Sequence, residues 1–164
     1  MEQPFSSALR ADFGSGKMYW IKPPSNHPEL MGKEAGFIVG GNGNNKRYWQ
    51  IRVFGQQFKR SRLMFFMAHG RWPAPYVDHI NGDSLDDRLT NLRDATPSQN
   101  TANSKSVPRQ MPLPRGVYKT KYGYLVRVTC NGETLNLGTF DSLEFATGWA
   151  EVSRREVFGE YARS

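Results

Sequence analysis

The segment at residues 76–103 (YVDHINGDSLDDRLTNLRDATPSQNTAN) constrains the fold more than any other part of the chain. Asn81-Gly82 is a strong signal for a turn between two strands. Thr96-Pro97 is typical of a helix start, with Thr96 as the N-cap and Pro97 at the first helical position. The segment therefore predicts a strand that ends at Asp78-His79, a turn, a second strand and a short helix.

The polar residues of this segment suit the hydrolysis of a phosphodiester bond. That reaction needs a base to take a proton from water and a hard divalent cation to hold the phosphate. Asp78 and Asn100 offer the oxygen ligands that Mg²⁺ or Mn²⁺ prefers. His79 is the candidate base, because an imidazole accepts a proton near neutral pH. Adjacent residues on a strand point to opposite faces, so Asp78 and His79 serve one phosphate only if the strand end bends or the phosphate lies between them.

The order of these residues resembles the HNH endonucleases, specifically the phage and intron-encoded homing group with the pattern DHxxG(N/D)xxDNRxxNLRxxTxxxNxxN. Residues 76–103 match that pattern without a gap. The resemblance implies a ββα-metal fold with one Mg²⁺ or Mn²⁺ per active site. It also implies His79 as general base, Asp78 and Asn100 as metal ligands, and Asn91 as the residue that holds the histidine-bearing loop.

The chain departs from this pattern at two places. The usual Asp-Asn-Arg is here Asp86-Asp87-Arg88, and the usual His-Arg-Leu ahead of the motif is Ser61-Arg62-Leu63. Arg88 and Arg93 are candidates to brace a phosphate, with a salt bridge inside the hairpin as the alternative. A histidine in a loop is more often a surface residue than a base. The alternative to a nuclease is therefore a DNA-binding regulator with an inactive site.

Composition points to a polyanion as partner. The formal net charge is +7, and each Lys or Arg set against a phosphate gains from counterion release. The single cysteine, Cys130, excludes an internal disulfide and a cysteine-based zinc site. No apolar run has the length of a membrane span, and the first residues lack the order of a secretion signal. We therefore expect a cytoplasmic protein, in the bacterial host if it is phage-encoded.

The part of the chain before residue 76 predicts strands and one helix. Residues 1–16 show no sustained period and predict a loose or short helical lead-in. Residues 17–21, 34–39, 46–54 and 58–60 predict strands, with a turn at 55–57. Residues 61–70 predict a buried helix that Ser61 caps and Gly70 ends.

The part after residue 104 predicts a separate small module. The prolines among residues 105–114 indicate an extended linker. Residues 116–119, 124–130 and 133–140 predict three strands, with Asn131-Gly132 as a hairpin turn. Asp141 predicts a helix cap with Glu144 three residues later. We expect the apolar face of that helix to consist of Leu143, Ala146, Trp149, Ala150, Ser153 and Val157.

A sheet that packs one face on one helix leaves its other face open to a partner. Basic and aromatic residues on that face, at the strand start and in the turn suit nucleic acid. The candidates are Arg115, Tyr118, Lys119, Lys121, Tyr124, Arg127, Thr129 and Asn136. Residues 115–162, with Leu137-Gly138-Thr139-Phe140 before the helix, resemble the Apetala-type (ethylene-response-factor) DNA-binding domain. That resemblance implies that the sheet enters the DNA major groove, and the alternative is a packing module with a solvated charged face.

Together these observations predict an α+β protein of two domains. Residues 1–104 form a ββα-metal nuclease domain with an N-terminal antiparallel strand layer, and 105–114 form the linker. Residues 115–164 form a three-stranded antiparallel sheet packed on one helix. The expected activity is metal-dependent cleavage of double-stranded DNA, of the homing or nicking type, by a monomer or weak dimer. Binding or cleavage of RNA is a further alternative, since a site made of a base and a metal ion does not by itself exclude RNA.

Overall fold

The computed structural model describes residues 5–41, 46–73, 75–103 and 113–162. Strands and helices are mixed along the chain, as the α+β prediction requires. The chain divides into two compact units, Met1–Ala95 and Thr96–Ser164. Within the described ranges, no helix combines the length and the apolar character that a membrane crossing needs.

The N-terminal unit is built from three small antiparallel sheets and one helix. Strands β1 (Leu9–Asp12) and β2 (Lys17–Trp20) form a hairpin. Strands β3 (Phe37–Val39), β4 (Tyr48–Val53) and β5 (Gln56–Lys59) form a sheet in the order β3-β4-β5. Helix α1 (Arg60–His69) follows, and β6 (Tyr76–His79) pairs with β7 (Leu92–Ala95).

One apolar cluster joins these elements. Leu9, Met18, Ile51, Leu63 and Met64 are fully buried in it, so β1, β2, β4 and α1 all contribute a side chain. Helix α1 ends where Gly70 adopts a left-handed conformation at φ 69°, which a residue without a Cβ does at little cost. The cluster holds the strand layer against the helix that precedes β6.

Three predictions for this unit are wrong in detail. Residues 1–16 contain strand β1 rather than a loose lead-in, because Leu9 is buried and pairs with Trp20. Helix α1 begins at Arg60, and Ser61 lies buried inside its first turn instead of capping it. The β4–β5 turn is centred on Phe54 and Gly55, whose φ values of 51° and 76° suit a two-residue hairpin.

The C-terminal unit contains helix α2 (Pro97–Asn103) and a sheet with one long helix. Strands β8 (Val117–Thr120), β9 (Gly123–Cys130) and β10 (Glu133–Phe140) form an antiparallel sheet in the order β10-β9-β8. Helix α3 (Leu143–Phe158) packs on it. The predicted hairpin turn is present, with Asn131 at φ 52° and Gly132 at φ 85°.

Helix α3 differs from its prediction at the cap and on its face. Ser142, not Asp141, accepts the capping hydrogen bond, from the backbone N–H of Phe145. Ala146 and Ala150 are buried against Val117 and Val126, as the helical spacing predicts. Leu143, Trp149 and Val157 are substantially exposed instead, whereas Phe158 is buried in a second cluster.

The boundary between the compact units lies before α2. Ala102 of α2 is buried in a cluster with Val128 and Phe158 of the C-terminal unit. Most of the predicted linker at 105–114 lies outside the described residues. Helix α2 therefore follows the β6–β7 hairpin in the chain but packs within the C-terminal unit.

Candidate active site

Strands β6 and β7 form the two-stranded hairpin that the sequence predicts around the candidate base. Asp78 pairs with Arg93 and His79 with Leu92 across the hairpin. Gly82 takes a φ of 70° in the loop that follows, and its N–H donates to the carbonyl oxygen of His79 at 2.7 Å. His79 is thus the last residue of a strand whose end is turned back by a tight loop.

Asn91 fastens this loop to the start of β7. Its Oδ1 accepts from the backbone N–H of Asn81 at 2.9 Å. Its Nδ2 donates to Asn81 Oδ1 at 3.1 Å and to the carbonyl oxygen of Asp86 at 2.8 Å. The side chain is buried, so these bonds are shielded from exchange with water. Both ends of the loop are held by one amide.

The imidazole of His79 contacts a buried carboxylate. His79 Nε2 lies 2.9 Å from Asp87 Oδ1, and the Asp87 side chain is 2% exposed. The other oxygen, Oδ2, accepts from Arg60 Nε at 2.8 Å. Arg60 is 3% exposed and also donates to Glu34 Oε1 at 2.8 Å. A chain of contacting side chains thus runs from the half-buried Glu34 through the buried Arg60 and Asp87 to the candidate base.

The candidate metal ligand Asp78 is buried and paired with Arg93. Arg93 Nε donates to Asp78 Oδ2 at 2.9 Å, and the two side chains are 10% and 5% exposed. Arg93 therefore forms the salt bridge inside the hairpin that was the alternative to a phosphate contact.

Asn100, the second candidate ligand, lies on α2 in the C-terminal unit. The predicted start of this helix is present: Gln99 N–H donates to Thr96 Oγ1 at 3.3 Å, and Thr96 N–H donates to Gln99 Oε1 at 2.8 Å. No three His, Cys, Asp or Glu residues come together as a metal site within the described ranges. A carboxylate and an amide oxygen fit a hard cation that takes its remaining ligands from water and substrate.

Arg88 makes a two-pronged ion pair with Asp86. Arg88 Nε donates to Oδ1 at 2.8 Å and Nη2 donates to Oδ2 at 2.7 Å. This pair lowers the pKa of Asp86 from 3.8 to about 2. The Arg88 side chain is 54% exposed, so its outer edge remains within reach of a partner.

The C-terminal sheet exposes most, but not all, of the predicted DNA contacts. Tyr118, Lys119, Lys121, Arg127, Thr129 and Asn136 are exposed. The guanidinium of Arg127 lies 5.2 Å from the centre of the Tyr118 ring. The other two predicted contacts, Tyr124 and Arg115, are half-buried. Tyr124 packs against the core beneath α3, and Arg115 is half-buried and donates to the Ala102 carbonyl oxygen at 2.7 Å.

Arg60 and Glu34 were not predicted as site residues, and Asp87 was noted only as a departure from the family pattern. Arg60 contacts Asp87, which lies 27 positions away in the sequence, and Glu34, which lies 26 positions away. Local periodicity carries no information at that separation. The usable signal was an acidic residue close in sequence to a candidate base, in a position where the pattern has an amide.

Comparison with known proteins relates part of the sequence to a known family. Residues 58–102 match the family model described as HNH endonuclease. The chain is 37% identical over 99 residues to Protein 3.8 of Escherichia phage T7 and covers 81% of that protein. The chain contains an HNH endonuclease domain at residues 58–102. It is also 34% identical over 98 residues to an uncharacterized HNH endonuclease, L560, of Acanthamoeba polyphaga mimivirus, of which it covers 50%.

No solved structure matches the chain. The HNH match begins in β5 and continues through α1 and the β6–β7 hairpin into α2. It therefore includes Arg60, Asp78, His79, Asp87 and Asn100. Of the residues that link Glu34 to His79, Glu34 alone lies outside the matched segment.

Proposed function

We propose that this protein is a divalent-metal-dependent endonuclease that cleaves double-stranded DNA, of the homing or nicking type. The observation that carries the proposal is the imidazole of His79, held at a strand end by Asp87 within the HNH segment. The neighbouring residue, Asp78, offers a carboxylate that is paired with Arg93 at 2.9 Å. A base beside a hard oxygen ligand is the minimum that metal-assisted phosphodiester hydrolysis requires.

His79 takes a proton from a water molecule as the water oxygen attacks phosphorus. The new bond between that oxygen and phosphorus forms as the bond to the 3′ oxygen breaks, and the leaving oxygen then takes a proton from solvent. Asp78 and Asn100 would hold one Mg²⁺ or Mn²⁺. The bound cation would offset negative charge on the phosphate and the leaving oxygen. Asn91 keeps the loop after His79 in place through its three side-chain bonds.

The exposed face of the C-terminal sheet supports a role in placing the enzyme on duplex DNA. Arg127 lies over Tyr118 on this face, and Lys121 lies in the adjoining turn, so this surface presents cations and aromatic area together. This is the face that an Apetala-type domain would present to the major groove. Its Lys and Arg residues provide the sequence-independent part of the affinity.

A plasmid assay tests the proposal. Incubation of supercoiled plasmid with the full chain and Mg²⁺ should give relaxed or linear product, and a chelator should abolish it. His79→Ala should lower the cleavage rate by about 10²–10⁴-fold while DNA affinity in a gel-shift assay stays near wild type.

A wild-type protein that binds the plasmid but leaves it supercoiled would show instead the inactive regulator. Undiminished cleavage by purified His79→Ala would overturn the assignment of the base. Asp78→Asn and Asn100→Ala should each raise the Mg²⁺ concentration needed for half-maximal cleavage, which separates loss of a ligand from loss of the base.

A further inference from the structure

We propose that Asp87 is a positioning residue that fixes the neutral imidazole of His79 in the tautomer with its proton on Nε2, and that Arg60 in turn fixes Asp87. This inference rests on the proposed nuclease function for its catalytic consequence. Its structural part, the tautomer, can be measured without any cleavage.

The two oxygens of Asp87 face two different partners, His79 Nε2 at 2.9 Å and Arg60 Nε at 2.8 Å. An arginine side chain is a donor only, so the oxygen that faces Arg60 accepts. An aspartate side chain is ordinarily ionised at neutral pH. An ionised carboxylate can only accept hydrogen bonds. The nitrogen that faces it, His79 Nε2, must therefore carry the proton.

Arg60 is itself held on several sides. Its Nη1 donates to Glu34 Oε1 at 2.8 Å, and its guanidinium lies 4.2 Å from the centre of the Trp49 ring. Glu34 also pairs with Lys17 at 3.3 Å. These contacts fix the direction from which Arg60 approaches Asp87. The carboxylate consequently has one oxygen committed to Arg60 and the other turned to the imidazole.

A neutral imidazole with its proton on Nε2 has its basic lone pair on Nδ1. Of the two ring nitrogens, Nδ1 is then the atom that can accept a proton from water. Asp87 thus selects which ring nitrogen is the base.

Arg60 explains why a carboxylate, and not an amide, suits position 87 in this chain. With Asp87→Asn, Arg60 Nε still points a charged donor at this side chain, and charge-assisted bonds are about twice as strong as neutral ones. The introduced amide should turn its oxygen to Arg60 and its N–H₂ to His79. Nε2 would then have to accept, which moves the ring proton to Nδ1 and removes the base.

The first measurement is the tautomer of His79 in wild type and Asp87→Asn. The chain has three histidines, so long-range ¹H–¹⁵N spectra of protein labelled at histidine are readily assigned from His27→Gln and His69→Gln variants. Recorded at mildly alkaline pH without metal, wild type should show the proton on Nε2. Asp87→Asn should show it on Nδ1. A wild-type ring with its proton on Nδ1 overturns the proposal without use of any variant at position 87.

The second measurement is cleavage under saturating DNA. Asp87→Asn should lower kcat by about 10²–10⁴-fold, the range for a general base, with KM for DNA within about twofold of wild type. Asp94→Asn is the matched control: Asp94 lies on β7 and pairs with Arg71 on the exposed surface, so kcat should stay at the wild-type value. Full kcat in a folded Asp87→Asn protein would overturn the inference while leaving the nuclease function intact.

A double variant, Arg60→Gln with Asp87→Asn, provides the rescue test. A glutamine amide oxygen lies as many bonds from Cα as the Arg60 Nε that contacts Asp87, so it can accept from the introduced asparagine amide. That amide can then turn its oxygen to His79 Nε2. The Nε2 tautomer should return, with kcat at least about tenfold above Asp87→Asn, a recovery of roughly 1.4 kcal/mol. A double variant with the Nδ1 tautomer and no recovery would exclude Arg60 as the residue that sets the orientation.

A wild-type protein that does not cleave DNA would instead overturn the proposed function and, with it, the catalytic part of this inference.

Discussion

At the scale of single residues, the site consists of ion pairs that differ sharply in exposure. Asp87 and Arg60 are almost completely buried, as is Asp78 with Arg93. A buried ion pair contributes little net stability, but the loss of one partner is costly because it strands a charge. Such pairs therefore hold their side chains in one place. Each includes a neighbour of His79, since Asp87 contacts its ring and Asp78 precedes it in the chain.

The Asp86–Arg88 pair is the exposed counterpart, and it makes a prediction about pH. Because Arg88 bonds both oxygens, the pKa of Asp86 is lowered from 3.8 to about 2. The pair therefore stabilises the fold above pH 3.8, and this contribution is lost as pH falls towards about 2. In Arg88→Gln, the pKa of Asp86 should rise back towards 3.8, as measured by ¹³C NMR of the labelled carboxyl group.

The control for this titration is Arg71→Gln, which removes the pair with Asp94 on the same hairpin. There the pKa of Asp86 should remain at about 2. An unchanged Asp86 titration in Arg88→Gln would show that the donors left in place, the backbone N–H of residue 88 at 3.4 Å and Asn81 at 2.8 Å, keep the carboxylate charged without the guanidinium.

At the scale of elements, the sequence predicted the parts with strong local signals. The Asn81-Gly82 and Asn131-Gly132 turns, the Thr96 cap and the three C-terminal strands all follow from short-range chemistry. Strand β1 was not predicted, because its one buried side chain, Leu9, gives no local pattern that separates a strand from a loop. The exposed side of α3 was also misjudged, since helical spacing does not tell whether Trp149 faces the sheet or solvent.

The candidate site shows the same difference between local signals, which the sequence carries, and long-range packing, which it does not. The pattern around His79 was readable because its residues lie on neighbouring elements of one hairpin. The contact of Arg60 with Asp87 depends on how α1 packs beside that hairpin, and no local signal encodes it. Sequence alone therefore predicted His79 as a candidate base but not its connection through Asp87 to Arg60.

The unexpected β1–β2 hairpin supports the site directly, which leads to a prediction at Gly16. Its φ is +73°, and a Cβ there would lie 2.4 Å from the backbone nitrogen of Arg88 and 2.6 Å from the carbonyl carbon of Asp87. Gly16→Ala should lower the free energy of unfolding by about 3 kcal/mol, measured by urea denaturation. Cleavage by the folded fraction should also fall, because the backbone that carries Asp87 must shift.

Gly32 offers a matched control, because it has a φ of +74° and no heavy atom within 4 Å of the position that a Cβ would take. Gly32→Ala should therefore cost only the conformational strain, about 1 kcal/mol, without a loss of cleavage. Equal destabilisation in the two variants would mean that strain alone acts at Gly16, and that the hairpin does not press on residues 87 and 88.

At the scale of the whole molecule, the HNH segment and the compact units have different boundaries. The family match runs to residue 102, whereas the N-terminal unit ends at Ala95. Helix α2 is bound within the C-terminal unit through Ala102, whose carbonyl oxygen accepts from Arg115 at 2.7 Å and from Arg154 at 3.2 Å. A cut at the predicted linker would thus separate α2 from the side chains that bury it, so activity should be tested on the full chain.

With a net charge of +7, any cationic surface of the protein would bind DNA in a salt-sensitive way. The test must therefore identify which surface binds. Arg127→Gln changes a cation on the open face of the sheet, beside Tyr118. If Arg127 contacts a phosphate, the slope of log affinity against log salt concentration should fall in magnitude by about 1, equally for unrelated duplexes.

Arg155→Gln changes an equally charged, exposed residue on α3, away from that face, and should leave the slope at its wild-type value. Fluorescence anisotropy with duplex DNA at several salt concentrations measures both. If Arg155→Gln flattened the dependence and Arg127→Gln did not, the helix side of the C-terminal unit, and not its open sheet, would be the surface that meets DNA.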